Sequence, residues 1–266
     1  MEKNNNIVDF GIIGGTGVYD PSMMDNVHEI DIETPFGRTS DKIVIGNYLD
    51  KSIAFIPRHG RSHQYPPHKV PYKANIWALK KLGVQRIIAP SAVGSLNEEL
   101  VMGSIVLPDQ FIDLSKNRNY TFYDDQAVHV SMAEPYCSNL RSHSIKTAKN
   151  LGIDIKENGT YVSIEGPRFS TRAESLFYKN VMKGDIIGMT AIPEVILAKE
   201  MEMCYMTLAT VTDYDAWKIE HVSADMVSNT MKKSVDKTKT FILKIIESIP
   251  KERECKCMHS LENAKL

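Results

Sequence analysis

Two carboxylates stand two residues apart in Thr212-Asp213-Tyr214-Asp215, directly after the apolar run 204–211. On a strand, positions i and i+2 share a face, so both acids can address one spot. Like charges held close raise the pKa of at least one of them. One member can then donate a proton while the other accepts a hydrogen bond. An aminopurine edge asks for that pair, a donor to N7 and an acceptor for the N6 amino group. A calcium or magnesium site is a rival, although hard cations want more oxygen ligands than two. In a third reading both acids cap the following turn.

A second group of residues suits an anion. Gly14-Gly15-Thr16-Gly17 combines glycines that let backbone N–H groups approach a ligand with a hydroxyl donor. It is not a Walker loop, because no Gly-Lys-Ser/Thr follows. It also fails the dinucleotide fingerprint, because Asp20 stands where the third glycine belongs. Arg58 in Pro57-Arg58-His59-Gly60 offers a planar fork of donors for phosphate oxygens, and His59 can add a donor or shuttle a proton. Ser91-Ala92 and Met189-Thr190 again join hydroxyls to small or apolar neighbours. Thr16, Arg58/His59, Ser91/Ala92 and Thr190 each have an ordinary reading as a turn, a basic loop or a cap. Together they suggest one pocket for free phosphate, since a polyphosphate would want Lys and a metal. Phe169 can stack on a base or pack in the core, and His129 can line a sugar or thioether pocket or be structural.

These residues need strands that end at one edge, and the hydropathy pattern supplies them. Strands are expected at 8–13, 27–32, 42–48, 52–57, 85–90, 161–164, 185–189 and 204–211, with an extended stretch at 105–112. Helices are expected at 72–82, 138–151, 171–182, from about Pro193, and at 223–248 with Ser223 as N-cap. No repeat or linker interrupts them. The reading is one α/β domain over 1–250, a central mixed sheet flanked by helices, with a loose charged tail over 251–266. Ligands in open α/β sheets bind beyond the carboxyl ends of the strands, where every candidate above falls.

Composition bounds the partners. The chain has 266 residues and a net charge of −1, so nothing electrostatic favours nucleic acid or an anionic membrane. No apolar run reaches the roughly 18 residues of a membrane span, and Met1-Glu2-Lys3-Asn4-Asn5-Asn6 begins no signal peptide; a cytoplasmic protein is expected. The four cysteines are Cys137, Cys204, Cys255 and Cys257. Cys255-Lys256-Cys257 can hold a strained disulfide or two free thiols. Structural disulfides and reduced thiols stand level, with Cys137–Cys204 the better pair because both lie beside apolar segments. No Cys-x-x-Cys is present, and His259 is the only nearby His for a zinc site.

Several blocks in order resemble the trimeric purine nucleoside phosphorylase family: Gly14-Gly15-Thr16-Gly17, Pro57-Arg58-His59-Gly60, Gly94-Ser95-Leu96, Met132-Ala133-Glu134-Pro135, Glu165-Gly166-Pro167-Arg168-Phe169, Pro193-Glu194-Val195 and Thr212-Asp213-Tyr214-Asp215. The similarity runs from about residue 8 to about 247 and is strongest to the branch acting on 5′-methylthioadenosine. The Cys-x-Cys tail lies outside it and resembles tails on archaeal heat-stable members. The resemblance implies a three-layer α/β fold and a homotrimer or a hexamer of two trimers. It implies phosphate held by Thr16, Arg58, His59, Ser91, Ala92 and Thr190, with Ser91 standing where the branch more often has Thr. Phe169 and Ser170 would lie beside the base, the Met189 N–H at the ribose, and His129 would come from a neighbouring subunit to close the 5′ pocket opposite residues 222–227.

The implied reaction is phosphorolysis of 5′-methylthioadenosine to adenine and 5-methylthioribose 1-phosphate, with inorganic phosphate as co-substrate and no metal or organic cofactor. The alternative is a broad phosphorylase acting on adenosine and inosine or guanosine. A hydrolytic nucleosidase would leave the anion pocket without its anion, and a nucleotide sensor would show no turnover. Asp213 is the candidate acid toward N7 and Asp215 the N6 acceptor, with the roles exchangeable.

Overall fold

The computed structural model describes residues 8–15, 23–218 and 222–265. Among the described residues eleven strands form one mixed sheet: β1 Phe10–Gly14, β2 Asp25–Ile30, β3 Ile43–Tyr48, β4 Lys51–Pro57, β5 Arg86–Ser95, β6 Ile105–Val106, β7 Gln110–Asp113, β8 Ile155–Lys156, β9 Thr160–Ser163, β10 Ile186–Gly188 and β11 Cys204–Asp213. The α-helices of the described residues flank it: α1 Tyr72–Lys81, α2 Ser138–Leu151, α3 Arg172–Asn180, α4 Ala191–Glu200 and α5 Ala224–Ser248. The expected single α/β architecture is therefore observed.

The central strands alternate between two buried faces. Phe10, Ile12, Ile88, Met206 and Leu208 point toward α2 and α5, where they meet Leu140, Phe241 and Ile245. Ile13, Ile87, Ala89 and Tyr205 point the other way, toward α1 and α4. Burial on both faces explains why these strands read as continuous apolar runs. Local signals set the helix ends. Thr171 and Glu174 form a capping box on α3, and Gly152 takes a left-handed φ of 64° after α2. Lys51 on β4 donates to the Ile246, Glu247 and Ile249 carbonyls, closing the C-terminus of α5.

β5 is the strand that makes the site. Its first residues, Arg86 to Ile88, pair with β1. Its last, Gly94 and Ser95, pair with β10. Its other edge pairs with β11 from Arg86 to Gly94. Between Ile88 and Gly94 the first edge changes neighbours, and a crevice opens there, the switch point at which open α/β sheets bind ligands.

Two expectations change. The stretch 91–95 is not a loop after a strand but the second half of β5, because β11 runs beside it. The tail beyond residue 250 is not loose: Cys255 and Cys257 are buried in the core face shared with α2 and α5, and Ala264 is buried as well.

Candidate active site

The crevice is a cavity of about 920 Å³ lined by Gly15, Arg58, His59, Ser91, Ala92, Phe169, Met189, Thr190, Asp213 and Asp215. Residues from six places in the chain thus meet. Thr16 lies outside the described residues. Ser170 sits beside the cavity, next to Phe169. His129 is exposed and does not line the cavity; its backbone N–H donates to the Ala264 carbonyl. The register of β5 against β11 puts Asp213 opposite Gly94, three residues past Ser91. At strand rise that is about 10 Å, the length of a purine nucleoside.

At the Ser91 end, Arg58 is buried and most of its donors are committed. Nε donates to Glu194 Oε1 at 2.5 Å and Nη2 to Glu194 Oε2 at 3.1 Å. Nη2 also donates to the Ile13 carbonyl and Nη1 to the Pro90 carbonyl. Of the five guanidinium N–H groups, one on Nη1 is left. Burial alone would lower the Arg58 pKa, but the Glu194 charge and hydrogen bonds outweigh it and hold the group protonated. Ser91 Oγ and Thr190 Oγ1 lie 3.3 Å apart, both buried.

His59 faces the same end with its Nδ1 2.8 Å from the Tyr65 carbonyl. A carbonyl only accepts, so Nδ1 carries the proton. Burial first, and the Arg58 charge second, push the ring pKa down to about 4. A neutral ring in this tautomer presents a bare Nε2. The donor expected from His59 is thus an acceptor, suited to an anion that carries its own proton.

At the other end the two acids are both buried. They do not share a strand face. Asp213 closes β11 after a bulge, and Asp215 lies beyond the strand at a left-handed φ of 49°. They converge because the chain turns: the Asp215 N–H donates to Asp213 Oδ1 at 2.8 Å, and Thr212 Oγ1 donates to Asp213 Oδ2 at 2.9 Å. Both pKa values are raised, and burial, not mutual repulsion, is the main cause. The Ser170 and Ser175 hydroxyls face Asp215 and partly offset that rise. Asp215 Oδ2 and both hydroxyls lie out of reach of solvent. Gly94 permits this packing, since a Cβ on it would stand 2.8 Å from Asp213 Oδ1.

Two features escaped the sequence reading. Glu194 orients Arg58 and accepts from Tyr205 Oη at 2.8 Å; a single acid within the apolar stretch 191–198 was the available signal. The second is the wall made by α5. Val227, Met231 and Val235, spaced by four residues, turn one apolar stripe toward the cavity, with Ser228 and Lys232 beside it, beyond the expected 222–227. All four cysteines are free and buried, so no disulfide bears out the sequence-level candidates.

Residues 9–247 match the phosphorylase superfamily. The chain is 53% identical to the S-methyl-5′-thioadenosine phosphorylase of Hyperthermus butylicus, over 97% of this chain and 96% of that one. It is 51% identical to the enzyme of that name from Saccharolobus solfataricus, over 99% of each. The structure of the methylthioadenosine phosphorylase from Schistosoma mansoni, in complex with adenine, superposes with a TM-score of 0.92 at 38% identity, covering 97% of this chain and 99% of that one. The chain belongs to the phosphorylase superfamily.

Proposed function

We infer that this chain catalyses phosphorolysis of 5′-methylthioadenosine to adenine and 5-methylthioribose 1-phosphate. The observation that carries the reading is one crevice with anion donors at one end, two buried carboxylates about 10 Å away and an apolar stripe of α5 in its lining. The similarity to enzymes named for this substrate supports it.

Phosphate, the co-substrate, is assigned to the Ser91 end. Ser91, Thr190, the last Arg58 N–H and the backbone around Gly15, Thr16 and Ala92 donate to it, and His59 Nε2 accepts the proton of HPO4²⁻. The bound dianion faces C1′ and stabilises the positive charge that grows there as the N9–C1′ bond breaks. A phosphate oxygen then bonds to C1′, and the bonding pair leaves with the purine.

The base is assigned to the diacid, with Phe169 and Ser170 beside it and the Met189 N–H toward the ribose. Asp213, its pKa raised by burial, is the donor to N7. The Asp215 carboxylate accepts from the N6 amino group. A 6-oxopurine offers an acceptor at that place, which an ionised Asp215 repels. The wall of Val227, Met231 and Val235 favours a methylthio group, because a buried 5′-hydroxyl without a partner costs about 1–3 kcal/mol.

His129 does not reach the cavity of its own chain, and Leu176, Phe177 and Val181, on α3 and just after it, are exposed. Both features support a homotrimer, alone or doubled to a hexamer, in which a neighbour's copy of His129 closes the 5′ side. Adenine release from 5′-methylthioadenosine, with and without phosphate and with inosine alongside, tests the reading. Phosphate-dependent release with slow inosine cleavage is expected; release without phosphate would make the protein a hydrolase.

A further inference from the structure

Arg118 lies in the connection between β7 and α2, and its side chain is 1% exposed. It does not line the crevice. Each of the five guanidinium N–H groups has an acceptor in the protein. Nη2 donates to the Ile164 carbonyl at 3.3 Å and to the Glu165 carbonyl at 2.7 Å. Nη1 donates to the Ile192 carbonyl and to Tyr72 Oη, the latter at 3.4 Å. Nε donates to Glu165 Oε1 at 3.4 Å. We propose that Arg118 is a positioning residue that fixes the base-side segment 164–170 against the phosphate-side segment 189–194, so that bound phosphate faces C1′ at reacting distance. What the two segments hold rests on the phosphorolysis reading above.

The sheet hands these two segments over to Arg118. β9 and β10 pair as far as Ser163 opposite Gly188, and the Ile164 N–H donates to the Gly188 carbonyl at 2.9 Å. Beyond that point one chain runs to Phe169 and Ser170 and the other to Thr190 and Glu194. Carbonyls that leave a ladder need other donors, and Arg118 supplies them on both sides at once. Ile192, between Thr190 and Glu194, has φ −106° and ψ 129°, outside the helical range in the first turn of α4. Its carbonyl is one of the Arg118 acceptors, so the guanidinium grips the backbone next to the residue that orients Arg58.

The guanidinium is itself held. Glu165 Oε2 accepts from the Lys116 and Asn117 N–H groups while Oε1 accepts from Nε, so one carboxylate fixes the loop before Arg118 and receives its charge. Tyr72 Oη, an acceptor for Nη1, donates to the Pro67 carbonyl at 2.7 Å, and Pro67 lines the crevice. Three walls of the crevice thus meet at one planar group. Arg58 keeps one N–H for a ligand, whereas Arg118 keeps none. A rigid fork with every donor committed sets geometry and binds nothing, and the flexible single ammonium of Lys does not reproduce it. Misplacing reacting groups by about 1 Å costs about 10²-fold in rate.

The test compares full-length wild type, Arg118→Lys and Arg118→Ala at a temperature where circular dichroism shows each folded. In Arg118→Lys, kcat for 5′-methylthioadenosine should fall about 10²-fold while KM for nucleoside and for phosphate each stay within about threefold of wild type, because each ligand keeps its own donors and only their separation changes. Guanidinium ion at tens of millimolar should restore part of the kcat of Arg118→Ala, and methylammonium should not. Hydrogen exchange read by mass spectrometry should quicken at 164–170 and 189–194 together in Arg118→Lys, with β5 and β11 unchanged. Exchange is independent of the reaction: a wild type that releases no adenine defeats the phosphorolysis reading, and exchange alone then decides the role of Arg118. Wild-type kcat in folded Arg118→Lys, a rise in KM with kcat kept, or unchanged exchange in either segment overturns the proposal. Glu165→Gln loosens the same fork without emptying it and should show the same split in smaller size; should neither Arg118 variant fold, wild-type kcat and exchange in Glu165→Gln overturn the proposal instead.

Discussion

Glu194 holds Arg58 by a two-point buried ion pair, Nε to Oε1 at 2.5 Å and Nη2 to Oε2 at 3.1 Å. The pair orients the guanidinium and neutralises it before any anion arrives. The pocket beyond therefore relies on hydroxyls, backbone and one remaining Arg58 N–H, which suits a ligand that must both bind and react.

Glu194→Gln leaves the Arg58 charge uncompensated, and breaking a buried pair costs about 3–5 kcal/mol. The variant should melt well below wild type. Phosphate should raise its melting temperature more than it raises that of the wild type, because the anion then supplies the missing charge. Thermal melts with and without phosphate check this; an equal phosphate shift in both proteins would count against the role of Arg58.

Asp213→Asn removes the proton donor while keeping the shape. Turnover of 5′-methylthioadenosine should fall about 10²–10⁴-fold with a smaller change in KM. Gly94→Ala should move the same way, since its Cβ meets Asp213 Oδ1 at 2.8 Å. Steady-state kinetics on both variants decide it; wild-type turnover in Asp213→Asn would remove Asp213 from the mechanism.

Asp215→Asn replaces an acceptor with a group that can also donate. The ratio of 5′-methylthioadenosine to inosine cleavage should drop by about tenfold or more, in line with about 1–3 kcal/mol for a mismatched buried polar group. A competition assay with both nucleosides reads the ratio directly, and an unchanged ratio would leave base choice elsewhere.

Met231→Gln places a polar partner on the apolar α5 wall. Adenosine should gain on 5′-methylthioadenosine by about tenfold in relative kcat/KM, since the 5′-hydroxyl no longer goes unpaired. If both substrates fall together, the wall serves packing and not selection.

His59 carries a pKa lowered to about 4 by burial first and Arg58 second. The unfolded ring binds its proton nearer pH 6.5, so between these values the unfolded state holds more protons and stability rises with pH. The raised pKa values of Asp213 and Asp215 act with the opposite sign as pH climbs from the ordinary carboxylate range. His59→Gln removes the first effect only. Without phosphate, it should lose less stability than wild type between about pH 7 and pH 5, by about 1–3 kcal/mol. Denaturant titrations at the two pH values measure the difference; parallel losses would show that His59 is not held neutral.

Periodicity in the sequence sufficed for the central strands, because strands buried on both faces must be largely apolar, as residues 53–56, 87–89 and, apart from Thr207 and Thr210, 204–211 are. It sufficed for α2 and α5 as well, because an amphipathic stripe and a cap are local. The candidate residues were legible for the same reason: glycines, hydroxyls and acids after apolar runs stand out by type. Other features depend on residues far apart in the chain. Asp213 and Asp215 converge through a bulge and a left-handed turn, not through strand alternation. Which donor of Arg58 stays open depends on Glu194, 136 positions later. His59 became an acceptor at Nε2 only because its Nδ1–H donates to the Tyr65 carbonyl. The stretch 91–95 became strand because β11 runs beside it, and the cysteines met because the tail folds back onto the ends of β11 and α2. Residue type and spacing carry the local preferences of a chain, whereas protonation state, donor direction and burial are properties of neighbours that only folding brings within a few ångströms.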